Sequence, residues 1–83
     1  MKVEMTTGAA RQFDKLPVRA QARLAGAFRR LADWPKASGV KALAGNLKGW
    51  YRIRVGDYRM RFFVSGNAVV IDKIAHRKDI YEN

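Results

Sequence analysis

Between Trp50 and Val64 the sequence reads WYRIRVGDYRMRFFV, with Arg52, Arg54, Arg59 and Arg61 alternating with apolar residues on either side of Gly56-Asp57. Alternation of period two puts one kind of side chain on each face of a strand, and a Gly-Asp pair between two such runs signals a two-residue hairpin turn. That turn sets Val55 opposite Tyr58, Arg54 opposite Arg59 and Arg52 opposite Arg61, because cross-strand partners share a face. Tyr51, Ile53, Val55, Tyr58, Met60 and Phe62 then form the apolar face. Like charges directly opposite one another destabilise a strand pair. Two stacked Arg-Arg pairs therefore imply an anion above them, and the guanidinium fork matches the oxygens of phosphate. Arg54 and Arg59 are assigned to a phosphate clamp, with Arg52 and Arg61 flanking it. Arg61 carries a competing assignment, since a two-residue Gly66-Asn67 turn places Asp72 opposite it. Trp50 and Phe63 fall on the arginine face too, either to stack on bases or to pack against neighbouring loops. His76, the only histidine, is the side chain whose ordinary titration lies nearest neutrality. Plain strand alternation puts it on the arginine face and Arg77 on the other.

The whole composition leans the same way. The chain has 83 residues and a formal net charge of +10, from 17 Lys and Arg against 7 Asp and Glu. That excess implies a polyanionic partner: nucleic acid, an acidic protein or an anionic membrane surface. A single domain over residues 1–83 is expected, burying about 60–65% of its unfolded surface. The absence of cysteine rules out disulfides, thiolate metal ligands and cysteine nucleophiles, and one histidine gives zinc too few nitrogen ligands. No metal or cofactor is expected. No apolar run approaches the ~18 residues of a membrane span, and MKVEMTTG lacks the apolar core of a signal peptide. The expected setting is cytoplasmic, with no membrane contact.

The elements that must hold the arginines follow from spacing. Lys2 to Thr6 reads as a short strand, after which Thr6 or Thr7 caps a helix carrying Ala9, Phe13 and Leu16 on one side. Pro17 ends that helix and suits the first turn of the next. From Val18 to about Asp33, Ala20, Leu24, Ala27, Phe28 and Leu31 trace an apolar stripe, and Trp34-Pro35 closes the helix. Ala37 to Gly49, with three glycines, reads as a linker containing a single helical turn. The arginine hairpin follows, then a turn at Ser65-Gly66-Asn67 and a last strand over Ala68 to Ala75. The expected fold is α+β: an N-terminal strand, a helical hairpin and three antiparallel strands. Two helices cover one face of a four-stranded sheet and leave the arginine face open.

With these residues in view, the sequence resembles the RelE/ParE superfamily of toxin-antitoxin toxins. The likeness runs through the strand, the helical hairpin, the LxGxLxGWYRIRVGDYRMRF segment from Leu43 to Phe62 and the C-terminal AHRKDIY from Ala75 to Tyr81. The RelE branch of the resemblance implies an endoribonuclease that cuts mRNA, in many members in the ribosomal A site, and that is neutralised by a cognate acidic antitoxin. It implies homo-oligomers only through the antitoxin complex. The ParE branch shares the fold but acts on DNA gyrase without the ribonuclease residues, and a plain RNA-binding module is the third alternative. By the same resemblance Arg59 matches the arginine of a GYR or DYR motif, Arg77 the arginine after the last strand, and Tyr81 a tyrosine that stacks on the substrate base. Arg52 and Arg54 stand where the family often has lysines. Metal-independent RNA cleavage needs a base for the 2′-hydroxyl, positive donors on the phosphorane and an acid for the leaving 5′-oxygen. Arginine, which keeps its proton, fills only the second role, so the base falls to His76 or Tyr81.

Overall fold

Val3 and Met5 point to one side of a short extended segment, and in the computed structural model, which describes residues 1–77, it forms strand β1, Lys2–Met5. Thr6 ends it. The Thr6 hydroxyl accepts a hydrogen bond from the Ala9 N–H at 3.2 Å, which satisfies one of the free donors at the start of helix α1, Thr7–Asp14. Pro17, its φ preset by the ring, leads into helix α2, Val18–Leu31. Gln21 Nε2 donates to the Phe13 carbonyl at 2.9 Å and fastens the second helix to the first. Ala20, Leu24, Ala27 and Leu31 are the buried residues of α2, as the apolar stripe requires.

Strands β2 (Val40–Ala42), β3 (Trp50–Val55), β4 (Tyr58–Ser65) and β5 (Ala68–His76) complete a five-stranded sheet of order β1-β5-β4-β3-β2. The expected four strands were one short, because β2 lies in the segment read as a linker. Three residues between glycines are too few for a period to show, and the strand exists through pairing, Val40 against Ile53 and Ala42 against Tyr51. β1 runs parallel to β5, while the other neighbours are antiparallel.

Both helices cover the face of the sheet that carries Ile53, Val55, Met60, Phe62, Ile71 and Ile74, closing a single core with Ala9, Leu24, Ala27 and Leu31. Each large aliphatic or aromatic side chain buried there contributes about 1.5–3 kcal/mol. Trp34, just past α2, meets Tyr51 and Phe62 edge-on at 4.7 and 5.4 Å and seals one end of the layer.

One irregularity decides which residues reach the open face. The β4–β5 register runs from Ser65↔Ala68 to Phe62↔Ile71 and then skips to Arg61↔Lys73, leaving Asp72 as the extra residue of a β-bulge. Ile71 and Ile74, three apart, are both buried, at 0% and 4% exposure. Plain alternation would turn one of them outward, and the extra residue lets both point to the helices. The Ile74 N–H, beyond the reach of β1, donates instead to Gln12 Oε1 of α1 at 2.8 Å.

Candidate functional site: a basic sheet face

The hairpin forms as its alternation requires. Gly56, at φ 58°, supplies the left-handed conformation at the first turn position, and the register pairs Arg54 with Arg59 and Arg52 with Arg61. The helices take the apolar face, so all four guanidinium groups rise from the other. Arg54 is exposed, whereas Arg52 and Arg59 are half-buried. The Arg59 Nε is shielded from solvent. Burial of its side chain, with Arg52 and Arg54 close by, pulls the Arg59 pKa below the ordinary arginine value. The group remains a cation at neutral pH.

Arg61 is engaged differently. Its Nε and Nη2 form a fork on Asp72, at 3.0 Å to Oδ1 and 2.6 Å to Oδ2. The hydrogen-bonded carboxylate raises the Arg61 pKa against the opposing effect of burial. The guanidinium carbon also lies 4.9 Å from the centre of the Trp50 ring, which meets Phe63 edge-on at 4.8 Å. Of the two assignments for Arg61, the structure selects neutralisation by Asp72. That contact comes from the bulge residue beside Arg61 rather than from its register partner, which is Lys73. Trp50 thus has Arg61 over its ring and Phe63 at its side, and stays half-exposed on the arginine face.

The bulge also reverses the expected placement at the end of β5. His76 does not join the arginine face. It pairs with Tyr58, on the side of Val55 and Met60, and its ring stands perpendicular to the tyrosine at 5.2 Å. The extra residue at Asp72 shifts the alternation by one, exchanging the expected faces of His76 and Arg77. The Arg77 N–H donates to the Asp57 carbonyl at 2.7 Å, continuing the ladder past the strand, and its Nε lies 3.7 Å from Asp57 Oδ1 at the hairpin tip. Opposite Arg59 stands Ala75. Tyr81 lies outside the described residues.

Two basic residues on this face escaped the sequence reading. Lys41 of β2 is in register with Arg52, and Lys73 of β5 with Arg61, so four strands carry Lys41, Arg52, Arg61 and Lys73 in one transverse row. The only signal for Lys41 was the three-residue pattern Val40-Lys41-Ala42. Among the described residues no group of three His, Asp or Glu side chains converges on a point, and no helix is long and apolar enough to cross a membrane. The chemistry available on the face is therefore that of oriented cations on an anion, strongest where Arg54 and Arg59 oppose each other.

Known proteins share this fold. The family model described as ParE toxin of type II toxin-antitoxin system, parDE, matches residues 3–81. Toxin RelE3 of Methanocaldococcus jannaschii is 40% identical over 43 residues, a match covering 52% of this chain and 48%, about half, of that relative's length. Among solved structures, the RelBE2 toxin-antitoxin complex of Mycobacterium tuberculosis superposes with a TM-score of 0.78 at 32% identity, covering 94% of this chain and 92% of the other. The isolated RelE toxin of E. coli gives 0.75 at 15% identity over 90% and 82% of the two chains, a likeness of fold. With the family model matched nearly end to end, the chain belongs to the ParE toxin family of type II toxin-antitoxin systems, within the RelE/ParE superfamily.

Proposed function

We propose that this toxin is an endoribonuclease that cuts mRNA at the ribosome in the cytoplasm, arresting translation until an acidic antitoxin binds it. The observation that supports this most is the Arg54–Arg59 pair, with Arg52 beside it and Arg77 at the hairpin tip. When the ribose 2′-oxygen attacks phosphorus, negative charge grows on the phosphorane oxygens before the bond to the 5′-oxygen breaks. Guanidinium donors fixed in place beforehand stabilise that charge without reorganising, and one such donor is worth about 10²–10³ in rate. Arg54 and Arg59 take this role. Arg52 and Arg77 orient the flanking backbone, and Tyr81 stacks on the base.

None of the arginines accepts the 2′-hydroxyl proton. His76 stands on the helix face against Tyr58, which leaves Tyr81 or a group of the ribosome as the acceptor. The antitoxin follows from the net charge of +10 and from the toxin-antitoxin complexes among the structural relatives.

The match to the ParE model favours a second reading, a non-catalytic inhibitor of DNA gyrase. Primer extension on cellular mRNA after induced expression separates the two. Discrete new 5′ ends are expected; intact mRNA with gyrase-dependent DNA damage would establish the inhibitor instead. Coexpression of the neighbouring small acidic reading frame is expected to restore growth and to yield a copurifying complex.

A further inference from the structure

We propose that Lys41 is a substrate contact, holding the phosphate next to the one clamped by Arg54 and Arg59, so that the RNA strand leaves the site across the edge strand β2. This rests on the ribonuclease reading. Pairing of Val40 with the buried Ile53 and of Ala42 with Tyr51 leaves Lys41, opposite Arg52, on the arginine face. Lys41 is exposed, and among the described residues it makes no ion pair. One strand spacing and two residues along β3 put its Cα about 8 Å from that of Arg54, a span that adjacent phosphates of an extended strand cover with a flexible lysine stem to spare.

The face is electrostatically lopsided, which sets the direction. On the β5 side the row carries Arg61 and Lys73, but Asp72 adds a carboxylate there and holds Arg61 in a fork. On the β2 side the row ends in Lys41 and Arg52. A polyanion centred on the hairpin is drawn toward β2. Lysine on an edge strand also guards against edge-to-edge pairing, but that duty does not alter how RNA binding responds to salt.

Fluorescence anisotropy with a single-stranded 2′-O-methyl RNA oligomer, which cannot be cut, measures the contact across a salt series. Lys41→Gln is expected to weaken binding several-fold and to flatten the log–log salt slope by about 0.7, the share of one phosphate contact on a single strand. Lys41→Arg should restore both, and Lys73→Gln should leave the slope unchanged. A slope for Lys41→Gln equal to wild type, or a loss confined to Lys73→Gln, overturns the proposal. Intact cellular mRNA on wild-type induction removes the ribonuclease reading itself, whereas normal mRNA cleavage with an unchanged Lys41→Gln slope removes Lys41 alone. If Lys41→Gln aggregates, Lys41→Glu is expected to show a larger loss of slope, and a wild-type slope there counts equally against the contact.

Discussion

Arg59 faces Arg54 across the hairpin, and burial, together with Arg52 and Arg54 close by, depresses its pKa. Arg59→Ala is therefore expected to abolish mRNA cleavage while stability stays level or rises, by up to about 1 kcal/mol from the relieved cross-strand repulsion. Thermal melting and primer extension on the same variant check both halves. A large drop in melting temperature would instead mark Arg59 as a structural residue. For His76 the expectation from alternation, a proton acceptor on the arginine face, gives way to a ring packed edge-on against Tyr58. His76→Gln should keep near-normal cleavage and lose about 0.5–1.5 kcal/mol of stability with the aromatic contact. A loss of cleavage of about 10² or more in His76→Gln would return proton transfer to the imidazole.

Strand β5 does two jobs in sequence: its first half completes the core, and its second half, past Asp72, delivers residues to the site with the faces exchanged. Gln12 secures the change by accepting the Ile74 N–H. Gln12→Leu leaves that donor without an acceptor and is expected to cost about 1–3 kcal/mol. Gln12→Glu keeps an acceptor in place and should recover most of it, and chemical denaturation midpoints compare the two. The same elements show what a sequence makes legible. The arginine hairpin was readable because two long alternating runs meet at a turn whose glycine has the required φ. The contact between Arg61 and Asp72 was readable from turn length, but its register was not: the bulge puts Lys73 opposite Arg61 and Asp72 beside it. The faces of His76 and Arg77 were not, because the bulge answers to a burial conflict between Ile71 and Ile74 that emerges only once the helices are in place. β2 was hidden for a related reason: its pairing with β3, rather than its own three residues, makes it a strand.

At the scale of the whole molecule, cations cover the open sheet face and also line the outer side of α2, where Arg19, Arg23 and Arg29 are exposed. Charge of this size attracts polyanions broadly, so on the ribonuclease reading proposed above specificity for one phosphate depends on the fixed geometry of the hairpin rather than on charge alone. That geometry is completed late. β1, the first strand made, finds its partner in β5, the last, with Lys2 in register with Ala68 and Met5 with Ile71. A chain truncated after Ser65 should therefore lack a cooperative unfolding transition by circular dichroism, since it retains β1 without its neighbour and the core without Val69, Ile71 and Ile74. In chain order the consequence is a delay: the arginines of β3 and β4 precede the strand that must pair with both β1 and β4 before the core closes, so the arginine face takes its final geometry only once β5 is in place.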